Sequence, residues 1–360
     1  MSETLKERVK ADIRLGIRDG RYPVKGVLPS VTALGAQVGA SAFTVRRALR
    51  DLAREGLVRP VQKRGTVVLR QAQAGTVCLL LSSVTHSNEL LHTPIYRALL
   101  TSGFAVDAIP WLGDLDKARQ CCARLEQGGR RFDCVVVVDP EVHHRASPDG
   151  FNRLMRLFPR RVDFTFELGR VPGDARHTVI ASNHTHATRL VAEHLLALGH
   201  RRISAHTGYG SEEGTVAAVT SRHLRDLVEM AGAAFVPYDG VTGTAGLLRL
   251  IREQQVTAYW ALNDHDALQN LAFLAQEGVR VPQDLALIGR HDTPWAVQFS
   301  PNLTSLSIEP AACAATVVEA VSALLQHQPA PALRLVQPRL VPRESTRPAP
   351  ADLASPPSSC

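Results

Sequence analysis

The chain has 360 residues, 45% of them hydrophobic, and a net charge of +7. That length excludes a single small module and predicts two or three domains, each with its own core. No apolar run is long enough to span a bilayer and no stretch near the start reads as a secretory signal, so a cytoplasmic chain is expected.

The charge is unevenly spread. Residues 1–72 carry fifteen Lys and Arg against six Asp and Glu, a net +9 that leaves −2 for everything after them. A concentrated cationic end on a near-neutral body is the electrostatic footprint of a module that binds a polyanion. The six cysteines (Cys78, Cys121, Cys122, Cys134, Cys313 and Cys360) show no metal-ligand spacing and are expected as reduced thiols.

In chain order, Glu3 to Arg18 predicts a helix with Leu5, Val9, Ile13 and Ile17 along one stripe, ended by Gly20. A turn over Tyr22–Gly26 follows. Ser30 caps a second predicted helix, Val31 to Val38, which Gly39 breaks. Ser41 caps a third, Ala42 to Glu55, closed by Gly56. Its Val45, Ala48, Leu49 and Leu52 recur at i, i+3, i+4 and i+7 and form one apolar face, with Arg46, Arg47 and Arg50 largely off it. A short helix with a buried stripe and an arginine-bearing front fits a DNA major groove. Leu57–Pro60 and Thr66–Leu69 predict two short strands around Gln62-Lys63-Arg64-Gly65, a basic hairpin tip suited to phosphate or a minor groove.

Helix, helix, turn, helix and basic hairpin make a winged helix-turn-helix, and here the residues resemble the GntR family of dimeric bacterial transcription regulators. The resemblance covers residues 3–70. It rests on Leu28-Pro29-Ser30, on Ser41 with Thr44-Val45-Arg46 and Ala48-Leu49, on Leu52, on Glu55-Gly56-Leu57-Val58 and on Arg64-Gly65-Thr66. It implies DNA contacts from Thr44 and Arg46 on the reading helix and from Arg64 and Gly65 on the wing. The full DNA-facing set expected adds Ser30, Thr32, Ser41, Phe43, Arg47 and Lys63. Two positions depart from the family pattern: Val31-Thr32 replaces the usual Glu-Arg, and Ala42 replaces the usual Arg. Arginine is the commonest bidentate reader of guanine. Its loss at two positions shifts readout to Arg46, Thr44, Phe43 against a thymine methyl, and the wing, so the operator should differ from the usual family site.

After a polar linker the pattern changes to strands alternating with helices, which predicts parallel sheets covered on both faces. The first round is strand Thr76–Leu81, helix Leu91–Ser102, strand Ala105–Ile109, helix Asp114–Gln127, strand Cys134–Val138, helix Phe151–Phe158 and strands Val162–Phe166 and Val179–Ala181. The second is helix Ala187–Leu198, strand Ile203–Thr207, helix Arg222–Ala231, strand Phe235–Pro237, helix Gly243–Gln254, strand Ala258–Leu262, helix Asp264–Glu277 and strand Leu285–Ile288. Two doubly wound lobes in tandem bind ligands between them, at the carboxyl ends of the strands.

Specific residues of this body resemble the LacI-type effector domain, itself similar to periplasmic sugar-binding proteins. They are Ala192-Glu193-His194-Leu195, Leu198-Gly199-His200-Arg201-Arg202-Ile203, Ala261-Leu262-Asn263-Asp264 with Ala267, Gly278–Pro282, Asp284–Gly289, Pro301–Ser305, Pro338–Val341 and Arg343–Thr346. The organisation expected is a winged helix-turn-helix over 1–70, a linker over 71–75, an α/β two-lobed periplasmic-binding-protein-like domain over 76–346 and a disordered tail over 347–360. Lobe one is expected over 76–181 and 306–329, lobe two over 182–305 and 330–346. The resemblance implies crossovers near Ala181–Asn183, Leu303–Ser307 and Pro329–Leu333, with helix Ala311–Leu325 in the first lobe. Leu268, Leu271 and Ala275 on the helix starting at Asp264 are expected either at a dimer face or against their own sheet.

For the effector, the family's Gly-aromatic-Asp-Asp/Asn turn stands here as Gly289-Arg290-His291-Asp292, so His291 replaces the usual ligand-binding acid. Asn263 matches a common polar contact. Arg222 stands nearest the family's arginine but lies two residues short of its spacing to Gly232. Ser82, Ser83, Asp139 and Glu167, at strand ends, are the first-lobe candidates. Imidazole in place of a carboxylate points away from a neutral sugar and toward an acidic or aromatic metabolite. Neither His143-His144 nor His184-Thr185-His186 has a third ligand at fixed spacing, and no metal or cofactor is expected.

Three function classes follow. The leading one is a transcription regulator, most simply a homodimeric repressor, that binds operator DNA and a small-molecule effector. A second is an enzyme, since such heads are also fused to pyridoxal-phosphate bodies. That chemistry needs a Schiff-base lysine, and the last lysine of this chain is Lys117. A third is a DNA-binding protein that answers to no ligand.

Overall fold

The computed structural model describes residues 5–18, 20–54, 56–62, 64–69, 75–81, 86–110, 114–129, 131–138, 148–165, 174–208 and 216–346. Most of the linker and all of the tail expected over 347–360 lie outside these residues.

Helices α1 (Leu5–Arg18), α2 (Val31–Val38) and α3 (Ala42–Arg54) precede an antiparallel hairpin of β1 (Val58–Val61) and β2 (Gly65–Val68). The predicted stripes meet in one core: Val9, Ile13 and Ile17 of α1, Leu34 of α2, and Val45, Ala48 and Leu52 of α3 close over Val58 and Val68 of the hairpin. Full burial of each large aliphatic side chain stabilises this small head by about 1.5–3 kcal/mol. Lys6 Nζ, 2.9 Å from Asp51 Oδ2, ties α1 to α3. The turn between α2 and α3 depends on two glycines. Gly39 takes the left-handed conformation (φ 69°) that ends α2. Gly35 leaves room for the Ala40 carbonyl, which a Cβ would meet at 2.5 Å.

The body has two six-stranded sheets. Sheet one runs β13-β7-β6-β5-β3-β4, from β3 (Thr76–Leu81), β4 (Ala105–Pro110), β5 (Cys134–Val138), β6 (Arg161–Thr165), β7 (His177–Ser182) and β13 (Leu333–Val336), all parallel. Helices α4 (His86–Thr101), α5 (Leu115–Gln127) and α6 (Pro148–Met155) join its strands. Sheet two runs β14-β12-β11-β10-β8-β9, from β8 (Arg202–His206), β9 (Ala234–Tyr238), β10 (Ala258–Trp260), β11 (Ala286–His291), β12 (Thr304–Ser307) and β14 (Arg339–Val341). Only β14 is antiparallel there. Helices α7 (His184–Ala197) and α8 (Val216–Met230) cover one face of sheet two. Helices α9 (Gly243–Gln254) and α10 (Asp264–Gln276) cover the other. Helix α11 (Pro310–Leu325) packs on sheet one through Cys313, Val317, Val321 and Leu324, as expected.

Two expectations about the body are corrected. The strand Leu333–Val336 belongs to sheet one, pairing with Val179–Ser182, so the third crossover lies between Val336 and Arg339 rather than near 329–333. The reason is chain continuity: α11 runs away from the junction along the first lobe, and the chain must return along that lobe before it can cross. Likewise Thr304–Ser307 lies wholly in sheet two. On α10, Leu268 and Leu271 are buried in their own lobe's core, which removes them from any dimer face, while Ala275 is exposed.

The connections fix where the two sheets face each other. The chain passes from β7 directly into α7, from β12 into α11 and from β13 into β14. Each helix entered this way starts at the junction, and each following parallel strand returns to it, so the carboxyl edges of both sheets meet there. Hydrogen bonds tie neighbouring crossings together: Asn183 N to the Val336 carbonyl (2.9 Å), Asn183 Nδ2 to Gln337 Oε1 (3.1 Å), and Arg339 Nε to Glu309 Oε1 (3.2 Å). No helix among the described residues is long and apolar enough to cross a membrane.

Candidate functional site

On α3 the buried stripe turns the arginines outward. Phe43, Arg46 and Arg47 are exposed, Phe43 at 65%, with the Arg47 guanidinium carbon 5.9 Å from the Phe43 ring centre. Ser41 caps the helix: its Oγ accepts from Thr44 N (3.2 Å) and lies 2.9 Å from Thr44 Oγ1. Ser30 caps α2 in the same way, accepting from Ala33 N at 3.2 Å. Both serine hydroxyl oxygens therefore accept at a helix N-terminus. Thr32 is exposed in the first turn of α2, and Arg64 and Gly65 are exposed at the hairpin end. Lys63 lies outside the described residues.

At the junction the structure rearranges the predicted set. Asn263 is the N-cap of α10, its Oδ1 accepting from Asp266 N at 2.9 Å. Asp264 beside it is buried and receives Ser305 Oγ (2.5 Å) and Thr293 N (2.6 Å). Burial raises the Asp264 carboxyl above the ordinary carboxylate range, against those bonds. Gly289 lets that carboxylate approach the turn, since a Cβ there would sit 2.2 Å from Asp264 Oδ1. Asp292 is tied to Arg343 Nη2 (2.6 Å). Arg343 also donates from Nη1 to the Leu303 carbonyl (2.7 Å), and Ser345 Oγ donates to the Leu287 carbonyl (2.6 Å). The closing Arg343–Thr346 motif thus clamps the turn and sheet two together.

His291, part-buried at the carboxyl end of β11 with φ 94°, has its imidazole pushed down to about 3 by burial, then by the neighbouring Arg290 charge and His184. It is a neutral ring at neutral pH. His206, at the carboxyl end of β8, is also lowered, chiefly by burial, and its Nδ1 accepts from Gly208 N at 2.9 Å.

Arg222 is not brought into this group. It is exposed, off the buried face formed by Ala217, Thr220, Ser221, Leu224 and Val228, and its Nε reaches back to the Ala218 carbonyl (3.4 Å). Two residues earlier, Thr220 is buried and accepts from Arg290 Nη2 at 3.3 Å. Arg290 is the residue the sequence reading passed over. It is only 8% exposed, and its guanidinium carbon lies 4.3 Å from the Trp260 ring centre. The available signal was an arginine two residues beyond an apolar strand run ending at Ile288. Ser82, Ser83, Asp139 and Glu167 lie outside the described residues.

Family comparison adds to this geometry. Residues 5–68 match the family described as bacterial regulatory proteins, gntR family, and residues 192–346 match the periplasmic binding protein-like domain. An HTH-type transcriptional regulator from Rhizobium meliloti is 46% identical over 71 residues, 20% of this chain and 29% of that protein. The arabinose metabolism transcriptional repressor of Geobacillus stearothermophilus is 22% identical over 322 residues, 83% of this chain and 85% of the relative. Among solved structures, a LacI family transcriptional regulator from Arthrobacter sp. FB24, in complex with lactose, superposes with a TM-score of 0.61 at 20% identity, covering 76% of this chain and all of that one.

Proposed function

We propose that this DNA-binding transcriptional regulator, a gntR-family head joined to a LacI-type effector domain, is a repressor whose grip on operator DNA is set by a small molecule at the junction of its two lobes. One observation carries the reading: three crossings, hydrogen-bonded to one another, hold two sheets with their carboxyl edges opposed, behind a separate cationic head. Such a junction permits rigid-body closure, and a ligand bound more tightly by the closed form shifts the population toward it. Two heads on a homodimer would engage two half-sites. The effector class suggested by the lactose-bound structural relative is a sugar or related metabolite. On this reading the junction binds its ligand without turning it over, and the working compartment is the cytoplasm.

The test is a gel-shift titration of the full chain on duplex DNA from the regions flanking its own gene, with and without a panel of sugars and related acids. Retardation by an inverted repeat, relieved by at least one metabolite, supports the reading. Retardation that every metabolite leaves unchanged favours the second reading, a regulator that answers to no ligand, which His291 at the family's acid position recommends. No retardation at low ionic strength, where phosphate attraction is greatest, removes both.

A further inference from the structure

We propose that the effector carries a carboxylate or phosphate group, and that Arg290 binds that oxyanion at the junction edge of sheet two. The inference rests on the junction being the effector site and names the chemistry that site selects. Arg290 is the penultimate residue of β11, on the sheet face that α7 and α8 cover, and its strand ends at the junction. Its guanidinium lies on the Trp260 ring, and Nη2 reaches Thr220 Oγ1. The Thr220 hydroxyl proton is committed to the Val216 carbonyl at 2.7 Å, so the oxygen meets Arg290 as an acceptor. Arg290 Nε and Trp260 Nε1 are buried without a hydrogen-bond partner among the described residues, and no described carboxylate pairs with Arg290.

A buried guanidinium with no counter-charge and an unfilled N–H is costly, and an anion removes both costs together. The planar fork suits a carboxylate or phosphate, and stacking on an indole leaves its edge free to donate. Burial lowers the guanidinium to about 10, so it stays charged at neutral pH. The same charge helps keep His206 and His291 neutral, and neither imidazole is a counter-charge for the guanidinium. Glu212 and Glu213 precede α8 in sequence and lie outside the described residues.

The test follows the arginine Nε–H resonances of the full chain by NMR, with Arg290 assigned from Arg290→Lys and Arg290→Met. The probes are D-glucose, D-gluconate, glucose 6-phosphate, inorganic phosphate and sodium chloride at matched ionic strength. The expected result is a saturable shift of the Arg290 Nε–H with gluconate or with a phosphate probe and none with glucose or chloride. Gluconate against the phosphates separates carboxylate from phosphate, and Arg290→Lys should bind the effective probe at least tenfold more weakly. A resonance unmoved by every probe, as an internal pair with Glu212 or Glu213 would give, overturns the proposal, and so does an equal response to glucose. Gel shifts run in parallel separate this from the regulator reading. Operator release by glucose in both wild type and Arg290→Lys keeps the regulator and removes the anion. A chain that ignores operator DNA but shows the Nε shift does the reverse.

Discussion

At the scale of single residues, the site is held by close approaches that leave little room for substitution. Gly289→Ala puts a Cβ 2.2 Å from Asp264 Oδ1 and 2.7 Å from Leu303 Cδ2, so the turn or the carboxylate must move. A loss of about 1–3 kcal/mol is expected, read as a lower Tm by calorimetry; an unchanged Tm would mean the turn is not packed this way. His291 gives a pH dependence whose sign is set by its depressed folded value. Its contribution is fully present above the unfolded value of 6.5 and is lost as pH falls through that value toward about 3. Asp264 has the opposite sign, since its raised carboxyl favours folding in the protonated form. A comparison with His291→Asn therefore isolates the histidine. Between pH 6 and 4 the wild type should lose stability faster than the variant, by up to about 1.4 kcal/mol per pH unit, in denaturant titrations. Asn also tolerates the positive φ at this position.

At the scale of elements, local periodicity carried the reading and long-range pairing limited it. The α3 stripe of Val45, Ala48 and Leu52 is visible because a helix writes its buried face into neighbouring residues, and the helix Val31–Val38 was readable to the residue from its cap and its closing glycine. The strand Leu333–Val336 was misplaced because its partner is β7, some 150 positions earlier in the sequence, and four residues do not say which sheet they join. Arg290 was passed over because the apolar run stops at Ile288, while β11 continues through His291, pairing Arg290 with Leu306. Arg222 stands two residues short of the family's spacing, and a slip of two residues on a helix moves a side chain to another face. On α3 the exposed arginines give a sharp expectation. Arg46→Ala leaves the packed face untouched; if Arg46 is the base-reading fork we propose, specific operator binding should weaken by about 1–3 kcal/mol with Tm unchanged. Operator affinity equal to wild type in a gel-shift titration would remove Arg46 from the reading set.

At the scale of the whole molecule, the charge partition and the two-lobed body set how the parts must communicate. Residues 1–72 carry +9 and the rest −2, so the phosphate attraction resides in the head and the body adds little to it. Operator affinity should therefore fall steeply and log-linearly with salt, with a slope that reports the number of phosphates the head contacts. Control of that affinity by the body is a free-energy coupling between two sites, and such couplings are reciprocal. If the effector weakens operator binding by some factor, saturating operator must weaken effector binding by the same factor, because both measurements close one thermodynamic cycle. The check is effector titration by calorimetry with and without operator duplex, set beside operator titration with and without effector. Equal factors well above one establish that the junction and the head are energetically coupled. Factors of one in both directions, with effector still bound, would mean that the sensor binds its ligand without affecting the reader. The chain would then be a DNA-binding protein that carries its sensor without being governed by it.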